Sequence, residues 1–172
     1  MKLFARIFGQ ASDPREQLRP LWHRVVAISR EPGWYATGGI ADSVAGRFDA
    51  ITLVLAEVLL RMEREDGLAP AAALLTELFV EDMEGQLRET GVGDPVVGKH
   101  VGRLVSSMGG RLGAYREALA RPGDAALADA VERNVTFGRH GDPAAVAMEL
   151  RLLANQLDAL PAARLLAGEI ER

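Results

Sequence analysis

The sequence has no cysteine among its 172 residues. That excludes disulfides, thiolate metal ligands and cysteine nucleophiles. Lysine occurs only as Lys2 and Lys99, so arginine supplies almost all the positive charge. With a net charge of −4, the whole molecule is not a basic nucleic-acid binder; an RNA contact needs a local patch, and DNA is not an expected partner. No run approaches the roughly 20 apolar residues of a membrane span. Lys2 and Arg6 interrupt the apolar Leu3, Phe4, Ile7 and Phe8, which is not a signal-peptide pattern. The expected location is cytoplasmic, with at most peripheral contact on the cytoplasmic face of the inner membrane. His23, His100 and His140 lie far apart, and none has a Glu-x-x-His neighbour on a helix. Gly91-Val92-Gly93 lacks the Gly-Lys-Ser/Thr ending of a phosphate loop, and no serine sits in a nucleophile elbow. No metal, cofactor, catalytic residue or small-molecule substrate is therefore expected.

What the chain does have is helical periodicity, with 48% hydrophobic residues. The length fits one domain with a sizeable core. The expected fold is all-α, a single compact domain of about six to eight helices around a central apolar helix over residues 43–65. Residues 1–20 read as an amphipathic segment and linker, and 21–172 as the helical domain. In the first ten residues Phe4 and Phe8 fall on one side with Ile7 nearby, an aromatic and basic pattern suited to a membrane interface. Its plainer reading is a frayed terminus or a helix tucked against the domain.

Pro20 opens a helix whose Leu21, Val25 and Ile28 share a face, and Pro32-Gly33 stops it. Trp34 to Ala41 reads as a loop, with Trp34 and Tyr35 as a lid on the core or as exposed binding anchors. Asp42 or Ser43 caps the central helix, expected to run to about Glu65. Leu74 to Leu119 organises the rest as two helices around a sharp turn. The first carries Glu77, Glu81, Asp82 and Glu84; the second carries Lys99, Arg103, Arg111 and Arg116. Gly91 ends the first, and Asp94-Pro95 reads as the cap and opening proline of the second. Glu84 and Arg88 are placed for an i, i+4 ion pair. Asp124 and Asp142-Pro143 start two further helices, the first reaching about Phe137, and residues 162–172 continue as a tail. No segment alternates with the period of a strand.

The helix from Pro95 holds Gly98, Gly102, Gly109, Gly110 and Gly113. Each interior glycine costs about 1 kcal/mol against alanine. The spacings 98/102 and 109/113 are expected to admit a close neighbouring backbone; the other reading is a bend at Ser106–Gly110 that shapes a groove.

Five segments together carry a family resemblance. They are Asp42-Ser-Val-Ala-Gly-Arg-Phe-Asp49, Leu78-Phe-Val-Glu-Asp-Met83, Leu87-Arg-Glu-Thr-Gly-Val-Gly-Asp94, Val97-Gly-Lys-His-Val101 and Gly110-Arg-Leu-Gly-Ala-Tyr115. With the Pro32-Gly-Trp-Tyr35 loop, they resemble the ubiquinol–cytochrome c chaperone family over roughly Leu21 to Leu119. The last fifty residues show no matching motif. Mitochondrial members of the family carry targeting extensions, and a chain without one fits a bacterial member. The resemblance implies an all-helical assembly factor, not an enzyme. It helps newly made cytochrome b mature into the quinol–cytochrome c oxidoreductase complex. In mitochondria the family works near the ribosomal exit with a small partner protein.

On that basis the expected client surface lies on the Trp34–Asp49 loop and the Arg88–Arg103 turn. Its candidate contacts are Trp34, Tyr35, Asp42, Arg47, Asp49, Asp82, Arg88, Asp94, Lys99 and Arg103. Phe4, Ile7 and Phe8 are the membrane-contact candidates. Asp42 and Asp94 have plainer roles as helix caps, and Arg47 and Arg88 as ion-pair partners. Two other functions compete: a generic helical scaffold on a ribosome or membrane, and an enzyme with an acid–base site at His100 and Glu81.

Overall fold

The computed structural model describes residues 13–89 and 94–172, the stretch 94–101 by its backbone alone. Asp13 opens the described chain as a cap. Its carboxylate accepts from the Arg15 N–H at 2.9 Å and starts a 3-10 turn, Pro14–Leu18. Helix α1 (Arg19–Ser29) follows, with Pro20 in its first turn and Leu21, Val25 and Ile28 fully buried.

Helix α2 (Val44–Glu63) is the centre of the molecule. Ser43 holds an extended backbone, and its hydroxyl accepts from the Gly46 N–H at 3.2 Å. Residues 49–62 are buried without a break, as expected for a helix apolar on every face. It packs against α1, α3 (Ala69–Glu89), α4 (Asp94–Leu119) and α6 (Pro143–Ala159). Helix α5 (Ala125–Asn134) lies against α4 and α6, and α7 (Ala162–Leu166) returns to α1. The chain is all-α around one core. Among the described residues the β pairing is one isolated antiparallel bridge, Ile40 to Phe137.

Several local expectations change. Residues Gly33–Thr37 form a wide helical turn rather than an open loop, because Trp34 is drawn into the core. Helix α5 stops at Asn134, since Val135 turns extended and leads to the bridge at Phe137. The Asp124 side chain does not cap that helix; Arg151 takes its carboxylate at 2.5 Å.

The glycines of α4 are also corrected. A Cβ added at Gly102, Gly109, Gly110 or Gly113 would meet nothing within 4 Å, so no neighbouring backbone in the described structure needs their smallness. Replacing Gly109 and Gly110 by alanine is therefore expected to raise stability by about 0.5–1 kcal/mol each, through lost backbone freedom in the unfolded chain. For a chain of this size that is a rise in Tm of roughly 2–4 °C per kcal/mol. An unchanged or lowered midpoint in thermal melts of the double variant would show that α4 needs those glycines within the chain itself.

Candidate client-binding surface

The loop that carries the candidate aromatics is built from backbone upward. Gly39 adopts φ +68, a left-handed conformation that suits glycine, and a Cβ there would run into the His140 carbonyl. This lets two loops lie against each other. Ala41 N–H donates to Thr136 O at 2.9 Å, Gly138 N–H to Gly39 O at 2.9 Å, and Asp142 N–H to Gly38 O at 2.9 Å. Gly46 is equally constrained, because an added Cβ would strike the Ala41 carbonyl.

Trp34 is buried at 1% exposure, and its indole N–H donates to Ile28 O at 2.8 Å. It is a core residue, and its ring offers no surface to a partner. Tyr35 is half-buried, and its hydroxyl donates to Ser29 O at 2.9 Å. Burial pushes that phenol up from its ordinary range. Arg47 and Asp42 form an ion pair at 2.7 Å with side chains 64% and 66% exposed. The hydrogen bond from Arg47 holds the Asp42 carboxyl below its ordinary range. Both groups, with Arg30, lie close enough for their charge to act on Tyr35. Tyr35, Asp42 and Arg47 thus share one corner. Val44, apolar yet 89% exposed, belongs to the same Asp42–Arg47 stretch and was not marked by any sequence pattern.

Asp49 points the other way, into the protein. Its side chain is 6% exposed and pairs with Arg111 at 2.6 Å, while its second oxygen accepts the Thr136 N–H at 2.8 Å. Arg111 also donates to the Thr52 hydroxyl at 2.5 Å and lies over the Phe48 ring, 5.4 Å from its centre. One buried carboxylate thus ties α2, α4 and the segment after α5. Like Trp34, it has no free face for a client. Four residues of the Asp42–Asp49 stretch therefore have structural tasks: capping at Ser43, close approach at Gly46, ring packing at Phe48 and the buried pair at Asp49.

The other candidates are spread out. Asp82 is half-buried on α3 at the edge of the α1–α3 cleft. Arg88 meets Glu84 at 3.4 Å, as its spacing predicts. Arg103 is exposed on α4, near the 44% exposed Val105. Asp94 begins α4, but its side chain, with those of Lys99 and His100, falls outside the described residues, as do Phe4, Ile7 and Phe8. Glu81, the proposed acid–base partner of His100, is held by Arg15 at 2.8 Å.

Two buried polar groups escaped the sequence reading. Glu57, on α2, is 1% exposed, and neither carboxylate oxygen has a hydrogen-bond partner. Desolvation pushes its pKa up to about 8. The Tyr115 hydroxyl is likewise buried and unpartnered, and burial pushes it up too. A charged residue inside Leu53–Leu60, apolar all round, was the available signal for Glu57.

A model of the ubiquinol-cytochrome C chaperone family matches residues 36–172. The crystal structure of the Cbp3 homolog from Brucella abortus superposes with a TM-score of 0.77 at 28% sequence identity, covering 91% of this chain and 88% of that one. No curated protein matches the sequence. The family match takes in α5 to α7, where the sequence showed no motif.

Proposed function

This chain belongs to the ubiquinol-cytochrome C chaperone family, and from that premise we propose that its client is newly made cytochrome b. The coarser role is an assembly chaperone of the ubiquinol–cytochrome c oxidoreductase complex, not an enzyme. The family match over residues 36–172 is the observation that carries the reading.

The proposed contact surface is the corner of Tyr35, Asp42, Val44 and Arg47. Val44, 89% exposed and three residues before Arg47 of the exposed Asp42–Arg47 pair, gives an apolar contact with a polar rim, the usual anatomy of a protein interface. Trp34 and Asp49 support this surface from below. Contact with a ribosome or with the inner-membrane face belongs to the same proposal, since a membrane-protein client is made at both.

The test is genetic and spectroscopic. Deleting the gene in its host is expected to remove the b-type signal of the quinol-oxidising complex from reduced-minus-oxidised membrane spectra. The wild-type gene restores it. An Arg47→Glu, Val44→Asp variant is expected to fail in rescue. Its Tm should stay near the wild-type value, because an exposed ion pair contributes about 1 kcal/mol or less. Full rescue by that variant would exclude the corner as the client surface. An unchanged spectrum in the deletion strain, with no second copy in the genome, would exclude the client.

A further inference from the structure

After α7, residues 167–172 leave helical structure and run back over α1. Gly168 takes φ +73, and a Cβ there would strike the Pro20 carbonyl. Ile170 is 4% exposed, and its carbonyl accepts from the Arg24 guanidinium at 2.8 Å. Arg172 then reaches the seam between α1 and α6. Its guanidinium donates to Glu31, just past α1, at 2.9 Å and to Glu149 of α6. It also lies 5.3 Å from the centre of the Trp34 ring. The Arg172 side chain is 11% exposed.

Two carboxylates and one indole around a single guanidinium make a site for that group. Charge-assisted hydrogen bonds hold its edge, and the electron-rich ring holds its face. The covered Ile170 and the backbone bond from Arg24 add a second point of attachment. A main-chain hydrogen bond with seats for alternate side chains is a usual way to hold an extended segment. The receiving groups belong to α1, the turn after it and α6, and none belongs to the tail.

We propose that residues 168–172 are a displaceable clasp. Within the chain they fill a site that also takes an extended segment of another protein, one bearing an apolar residue and, two positions later, an arginine. The tethered tail competes at an effective concentration in the millimolar range, so an outside segment enters only by outbidding it. With the tail seated, the Trp34 ring is covered. With the tail displaced, one face of the ring becomes the floor of the site. This inference rests neither on the identity of the client nor on the corner at Tyr35.

Trp34 reports the state of the clasp once Trp22→Phe leaves it as the sole tryptophan. In that background the full chain with Ile170→Ser and Arg172→Ala is expected to show about twofold or greater quenching of Trp34 fluorescence by acrylamide, because local opening admits solvent to the ring. The free peptide Gly-Glu-Ile-Glu-Arg, which copies residues 168–172, should reverse that rise and saturate near roughly millimolar concentration. A peptide with alanine in place of the arginine should not, and Glu149→Gln in the protein should weaken the response. The chain with its own tail intact should respond to neither peptide at those concentrations. Where the double variant fails to fold by circular dichroism, Arg172→Ala alone keeps Ile170 in its seat and carries the same comparison. Quenching equal to that of the intact chain, no reversal by the peptide, or equal reversal by the two peptides would overturn the inference.

Discussion

Replacing Glu57 by glutamine is expected to stabilise the protein at pH 7 by about 3 kcal/mol. The carboxyl is 1% exposed, both of its oxygens are unpartnered, and burial pushes its pKa up to about 8 from the ordinary 4.5. Desolvation is the main cause. The Asp158 charge adds to it, while those of Arg64 and Arg151 oppose it. Glutamine mimics the protonated carboxyl in shape and leaves the same buried polar group, so the exchange isolates the cost of ionisation.

The sign follows from proton uptake. Below about pH 4.5 both folded and unfolded chains hold the proton, and Glu57 takes nothing from stability. As pH rises toward 8 the unfolded chain releases the proton while the folded chain keeps it. Stability then falls by about 1.4 kcal/mol per pH unit, and the loss levels off once the folded carboxyl ionises. Urea unfolding at pH 5, 6, 7 and 8 should show the variant gaining on the wild type at each step. Parallel curves would mean that Glu57 is solvated or paired in solution.

Replacing Asp49 by alanine is expected to destabilise the protein by about 3–5 kcal/mol. The change strands the Arg111 guanidinium, whose side chain is 13% exposed, and orphans the Thr136 N–H. Either loss alone is expensive in a water-poor interior. Arg111 would keep the Thr52 hydroxyl and the Phe48 ring, neither of which neutralises it. Asp49→Leu with Arg111→Met should lose much less than the sum of the single changes, since no charge is left unpaired. Denaturant midpoints for the four proteins measure this coupling. A single Asp49→Ala variant within about 1 kcal/mol of wild type would show that water reaches the pair.

The fold was legible where the signals were local. Ser43 and Asp142 announced their helices by capping chemistry, Pro20 by its place in a first turn, and apolar residues on nearly every face of α2 announced a central helix. The Glu84–Arg88 pair needed only i, i+4 spacing. What could not be read depends on residues far apart in the chain. Asp49 meets Arg111 and Thr136 across 62 and 87 residues. Asp124 leaves its cap position because Arg151 stands nearby in space. The exposed α4 glycines follow spacings that also suit close packing, and only the neighbouring backbone decides between the two. In the candidate stretch the sequence mixed the faces: Asp42 and Arg47 are exposed and Tyr35 half-buried, while Trp34 and Asp49 face the core.

The loop pairing between residues 38–41 and 136–142 also sets an order of events during synthesis. Trp34 and the Asp42–Asp49 stretch leave the ribosome early, but Ala41 waits for Thr136, Gly39 for Gly138, and Gly38 for Asp142. Roughly 100 residues must be added between the two partners, about 5–20 s at ordinary elongation rates. For that interval α2 is made but lacks α6, and the face that α6 covers in the finished fold remains open. The chaperone therefore passes through its own period of exposure before it can shield a client.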